Sequence, residues 1–307
     1  MSTTQSPAPR ALLTRLVDDA AVFPPASLPV AQAWSEHLRL RAGWYGDLLG
    51  PLLIPVSAAA ELVEAAESTP RAEDLETGTG HGPRPVEVGL IARAGVSIAD
   101  LLYAVGTVVD APELELAAVE VAYDPNGEWR AAIDLEAPLA VEVGRDPWTR
   151  NRALDDLVSE ERERLLPVVA KFRTQSTPTT PVPTARELAE FLSATLERGL
   201  AFKLTGGLHH AVVGEVPRAG QAGPDGATEV QHGLLNVVLA THYLSQGSGL
   251  SLSALEAVLT TEDAQGLAAL VRELGEAEVA AVRARFVSFG CCTVTDPLDE
   301  LTALGLL

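Results

Sequence analysis

The sequence predicts a single-domain (β/α)8 barrel of the TIM type, and three observations carry that prediction. Short apolar, β-branched runs recur along the chain, an amphipathic helical stretch follows most of them, and eight such runs fit within 307 residues. Strands are expected at 20–23, 51–57, 86–93, 114–123, 139–144, 167–173, 200–205 and 284–290. Helices are expected at 29–43, 57–68, 97–108, 152–166, 184–199, 229–247, 251–260, 261–275 and 296–307, with Ser97, Thr184 and Asp296 placed to cap their helices. The connection after the fourth strand, DPNGEWRAAIDLEAP, has no helix of ordinary length. Two Pro- and Gly-bearing stretches, 174–184 and 211–228, read as loops over one face, where binding segments commonly lie. An open doubly wound sheet is the alternative, but neither a G-x-G-x-x-G turn nor a phosphate-binding P-loop is present.

Composition bounds the rest. Hydrophobic residues make up 47% of the chain, ample for a core. The first ten residues, MSTTQSPAPR, lack the apolar stretch of a signal peptide and read as a flexible tail, leaving 11–307 as the barrel domain. No run approaches the ~18 apolar residues of a membrane span, and a cytoplasmic protein is expected. A net charge of −20 argues against nucleic acid or an anionic membrane as partner. Its acids are spread along helical faces such as DDLVSEERER, the pattern of a solvated surface. The two cysteines, Cys291 and Cys292, are adjacent and have no other partner, which fits a reducing compartment. The apolar stretch GLLNVVLATHYL reads as either core or a homodimer contact.

The chain holds two lysines, Lys171 and Lys203, against 20 arginines. Arginine is always charged, whereas a lysine can give up its proton and act as nucleophile or base. Barrel chemistry sits at the C-terminal strand ends, and alternation along each strand selects the inward residues. That rule turns Lys171 and Arg173 inward on the sixth strand and Lys203 and Thr205 on the seventh. It adds Arg93, Glu120, Asp124, Glu142 and Ser288 from the third, fourth, fifth and eighth. An interior ion network is one reading of this set. The other is chemistry, with the lysines close enough across neighbouring strands to repel and so depress one another's pKa.

The segments AKFRT and FKLTGGL resemble the paired lysine strands of class I aldolases of the deoxyribose-phosphate aldolase type, and RFVSFG is similar to that family's last strand. Lys203, Gly206, Gly207 and Leu208 match one motif, Lys171 and Thr174 the other. The resemblance implies a lyase with Lys171 as the imine-forming residue, Lys203 as the neighbour that tunes it, and Glu120 or Asp124 shuttling protons, with no cofactor. Gly206 and Gly207 would offer amides to an anionic group of a small substrate, and Arg173 would hold its charge. QSTP stands where the family has S-T-G, a His-His pair follows the glycines, and a long segment precedes the last strand. These departures point to a substrate other than deoxyribose phosphate.

Four histidines follow the seventh strand. His209 and His210 leave it at the presumed active face, and His232 opens the next helix with Asn236 one turn on, where backbone amides favour anions. His209, His210 and His232, with Glu120, Glu142 or Cys292, support an alternative: a hydrolase or lyase that uses a divalent metal such as zinc. A third reading is a non-catalytic, anion-binding barrel. Cys291 and Cys292 read as small apolar residues, although a thiolate paired with His209 or His210 is a further option. Phe23 and the prolines after it form a rigid wall, and Trp34, Trp44, Trp129 and Trp148 read as packing residues.

Overall fold

A computed structural model describes residues 8–69, 84–162, 165–177, 179–217 and 228–307. The strands are β1 (Val17–Asp19), β2 (Leu49–Pro55), β3 (Val86–Ala92), β4 (Leu114–Ala122), β5 (Leu139–Glu142), β6 (Val168–Arg173), β7 (Ala201–Thr205), β8 (Gly214–Pro217), β9 (Thr228–Gln231) and β10 (Phe286–Cys291). Eight of them close a parallel barrel in the order β1-β10-β7-β6-β5-β4-β3-β2, with helices outside; this is the (β/α)8 fold. The remaining two, β8 and β9, pair as a separate antiparallel ribbon. The ribbon begins in 211–228, where a plain loop was expected, and its second strand takes the first residues of the helix expected at 229–247, which starts only at Leu234; 218–227 lie outside the described residues.

Seven of the eight expected barrel strands fall within about two residues of their observed bounds, a spread normal for element ends. The first does not. The apolar AAVF at 20–23 was expected, but the strand is Val17–Asp19, two acids included. Aspartate is a poor strand former, and propensity loses here because both carboxylates find partners inside the fold. The helix expected at 152–166 begins earlier, spanning Pro147–Glu161. Asp146 accepts from the Thr149 amide, and Pro147 sits in the first turn, where its missing N–H costs nothing. Ser97 and Thr184 cap as expected, Thr184 in a reciprocal capping box with Glu187. A short 3₁₀ turn, Glu128–Ala132, serves between β4 and β5 in place of a full helix.

The expected ten-residue tail is shorter at its inner end. Ala8 is buried, its amide donates to the Leu306 carbonyl at 3.1 Å, and Arg10 opens a helix; residues 1–7 lie outside the described set. The stretch Leu234–Ser245 is core, since Leu234 through Thr241 are all buried. No helix of the described residues is long and apolar enough to cross a membrane.

The core layer between barrel and helices is aromatic on one side. Phe172, Phe202, Phe286 and Phe289 point outward from β6, β7 and β10, and Phe172 stacks on Phe191 at 4.5 Å. Each such side chain contributes roughly 1.5–3 kcal/mol by leaving water. Strand alternation makes the consequence for the site direct. With Phe172 and Phe202 turned out, Lys171 and Lys203 must turn in.

Candidate active site

A cavity of about 580 Å³ opens at the C-terminal ends of the barrel strands. Lys171, Arg173, Glu142, Thr205, Gly206, His209 and Cys292 line one side; Ala20, Phe23, Leu53, Ile91 and Arg93 line the other. Gln175, Ser176 and Thr177 come from the segment after β6, so this predicted face loop does reach the site. Residue 178 within it lies outside the described residues.

Below the mouth, the ionic groups form one network. Glu120 on β4, fully buried, bridges both lysines: one carboxylate oxygen lies 2.7 Å from Lys171 Nζ, and the other accepts from Lys203 Nζ. Lys171 also meets Glu142 at 2.9 Å, and Arg173 holds the same Glu142 at 3.0 Å. Lys203 donates to Asp18 at 2.6 Å, and the Ser288 hydroxyl donates to that carboxylate at 2.7 Å. Asp18 has room because the β2 residue facing it is glycine; a Cβ on Gly50 would overlap its carboxylate. The formal charges balance, three acids against three bases, which is how a barrel interior can hold so many ions.

This geometry corrects the tuning expected between the lysines. Lys171 and Lys203 are register partners on β6 and β7, as the strand argument required. The Glu120 carboxylate sits between their ammonium groups, however, and attraction replaces repulsion. Burial opposes the charge on Lys203, but Asp18 and Glu120 outweigh it and raise its pKa above the usual lysine value. Burial likewise opposes the Glu120 carboxylate, and the two lysines hold it down at about 2. Glu142, partly buried, is also lowered, by Lys171 and Arg173. Burial pushes Asp18 up against the pull of Lys203 and Ser288. Both lysines are buried, and Lys171 lines the cavity while Lys203 does not.

Asp18 was missed by the sequence reading because the first strand was placed three residues late. Arg93 stands at the rim with its guanidinium over the Phe23 ring, 5.1 Å from the centroid, and Pro24 completes that wall. Asp124 is not part of the network. Its carboxylate accepts from the Asn126 and Trp129 amides, closing the turn after β4.

The chain after β7 makes a left-handed run, with φ of 66°, 75° and 53° at Gly206, Gly207 and Leu208. The first two positions suit glycine; Leu208, buried, holds the strained value. The Thr174 side chain pins the turn through the Gly206 carbonyl. The Gly206 amide is already spent on the Gly290 carbonyl at 3.2 Å, which removes one of the two donors expected for an anion. Those of Gly207 and Leu208 have no acceptor among the described residues.

The run directs His209 toward β10. Its Nδ1 lies 2.9 Å from Asp296 and its Nε2 3.4 Å from Cys292 Sγ. Asp296 was expected to cap the last helix, Thr295–Ala303. Instead it sits inside the first turn, with its carboxylate on the His209 ring. The other predicted histidines do not join. His210 pairs with Glu300 at 2.7 Å, and His232 meets the Pro183 carbonyl at 2.8 Å beside the β8–β9 ribbon. Asn236 spends its side chain on the Val213 amide and on the Val258 and Thr261 carbonyls. Among the described residues no group of three or more His, Cys, Asp or Glu side chains is arranged to hold a metal ion. A buried pair unseen in the sequence, His37 with Asp19 at 2.9 Å, ties β1 to the helix Val30–Arg41.

Neither a protein-family model nor a curated protein sequence matches the chain. Among solved structures it is similar to a deoxyribose phosphate aldolase from Aeropyrum pernix, described as a unique tetrameric structure. The two share 14% identity over 95% of this chain and 92% of that one, with a TM-score of 0.49. At that depth of likeness nothing about reaction, substrate or assembly passes from one chain to the other.

Proposed function

We propose that the protein is an aldolase-like lyase acting on a small anionic carbonyl compound through an imine on Lys171. The single observation that carries this reading is the position of Lys171. Its amine lies between two carboxylates in the wall of a cavity at the catalytic end of a (β/α)8 barrel.

Imine formation needs the neutral amine, and Glu142 is the group that would take its proton. At rest Glu142 is held low by two cations, Lys171 and Arg173. A substrate anion that draws Arg173 to itself removes one of them, so Glu142 gains proton affinity as substrate binds. The amine then adds to the carbonyl carbon. Glu142 returns its proton to the departing hydroxyl, which leaves as water, and the iminium cation occupies the place of the ammonium. Glu120 balances charge before and after this step, and its low pKa keeps it ionised throughout. The iminium then accepts the electron pair of the breaking carbon–carbon bond, and Glu142 takes the substrate hydroxyl proton. Lys203 fixes Glu120 and is a positioning residue in this scheme, in place of the tuning role first expected. Arg93 and the Gly207 amide are the further donors for an anionic group. The scheme calls for no cofactor.

The balanced charge of the network also suits a purely structural role, and one experiment separates the two. The protein is treated with borohydride alongside a panel of small aldehydes and keto acids, and the adduct is mapped by peptide mass. A reduced adduct on Lys171, absent in Lys171→Arg, is expected. An adduct on Lys203 would reverse the assignment, and none across the panel would overturn the imine reading.

A further inference from the structure

We propose that Cys292, His209 and Asp296 form a second reactive centre in the same cavity, a thiol nucleophile for acyl transfer from a small ester or thioester. Two distant pieces of chain supply it: the turn after β7, and the segment that runs from the end of β10 into the first turn of the last helix. They meet because β7 and β10 are neighbours in the barrel. Asp296 on Nδ1 fixes the ring's orientation and leaves Nε2 facing the Cys292 sulfur, the nucleophile–base–orienter order that activates a thiol. Both Cys292 and His209 line the cavity, so the sulfur borders space for a ligand.

The neighbouring cysteine supplies an internal contrast. Cys291 faces outward into the main core, donates to the Thr293 carbonyl at 3.2 Å and lies 3.6 Å from His209 Nδ1, the nitrogen that Asp296 holds at 2.9 Å; burial outweighs the ring there and pushes its thiol up. Burial opposes the Cys292 thiolate as well, but there His209 outweighs it and the thiol is lowered. Burial also opposes a charged His209; the two sulfurs overcome that and lift it to about 11. Strand alternation thus makes one cysteine core and its neighbour reactive. The Gly207 and Leu208 amides, which precede His209 on the strained turn, have no acceptor among the described residues.

In the reaction the Cys292 sulfur adds to the acyl carbon and the bond to the leaving alkoxide or thiolate breaks. The His209 Nε2 proton passes to that leaving group. Water then attacks the S-acyl carbon and gives a proton to Nε2. The carbon–sulfur bond breaks, the acid departs and the thiolate–imidazolium pair is restored. No oxidant or reductant enters.

The test uses 4-nitrophenyl acetate on the intact chain, with release of nitrophenolate followed in time and the acetyl group located by fragmentation mass spectrometry. We expect a burst with one acetyl group on Cys292, absent in Cys292→Ser and retained in Cys291→Ser. His209→Gln is expected to slow the burst by about 10²-fold or more. Asp296→Asn, at an exposed position, provides a second probe of the base. It is expected to slow the burst and move the pH dependence of iodoacetamide alkylation toward the ordinary thiol range of about 8.5. Acetylation on Cys291, or none on a natively folded protein, would overturn the proposal. So would a burst and an alkylation profile unchanged in Asp296→Asn. Because borohydride trapping reads imines on lysine amines and the acetyl burst reads the thiol, the two proposals fail independently.

Discussion

The barrel interior has two unlike sides. Across β4 to β7 ions point inward, with Glu120 at their centre, Asp18 joining from β1 and the Ser288 hydroxyl from β10. Across β2 and β3, Leu53 and Ile91 pack with Ala20, and Phe23 closes the cluster. Both sides border the same cavity. The difference is one of cooperativity. An apolar side chain contributes in proportion to its buried area, so truncation costs accumulate gradually. A buried charge is tolerable only while its partners remain, so the network stands or falls together.

Glu120→Gln should be the most damaging change. It leaves each lysine with one fewer carboxylate, and a loss of about 3–5 kcal/mol in urea unfolding is expected. An unchanged midpoint would mean that Asp18 and Glu142 alone neutralise the lysines, and the comparison would fail. Acid should probe the same group without mutation. Glu120 sits at about 2 in the fold against an ordinary 4.5, so it stabilises above 4.5 and that contribution drains away as pH falls toward 2. Stability measured across that window should decline in the wild type, with a visibly shallower slope in Glu120→Gln. Lys203, raised in the fold, contributes below its ordinary value and loses that only at more alkaline pH, so it adds no slope in the acid window.

On the apolar side, Leu53→Ala is expected to cost about 2–3 kcal/mol, toward the low end for a buried leucine because the adjoining cavity already interrupts its packing. Ile91→Val should be smallest, about 0.5–1.5 kcal/mol by urea titration. If the two apolar variants matched Glu120→Gln in cost, the distinction between graded and collective stabilisation would be lost.

The lysines, Glu120, Glu142 and Ser288 were legible because a strand has period two: a phenylalanine on one side of the backbone commits its neighbour to the other. Asp18 was hidden by the same reasoning. An acidic strand breaks the apolar signal by which strands are recognised, and its carboxylate is stabilised by Lys203, 185 positions away in sequence. Asp124 looked like a site residue from its place at a strand end, yet its side chain closes a local turn. Asp296 showed the reverse, a predicted cap that serves a distant histidine.

By itself the sequence determined the barrel, the inward set on β6 and β7, and the presence of two lysines, because these follow from local periodicity and composition. Only the tertiary structure decided that Glu120 bridges the lysines and so reverses the expected shift of Lys203. It likewise separated His210 and His232 from the mouth and brought His209 between Cys292 and Asp296. The physical reason is common to all of these. The charge and reactivity of a buried group are fixed by partners within a few ångströms, and barrel closure selects those partners from segments far apart in the chain.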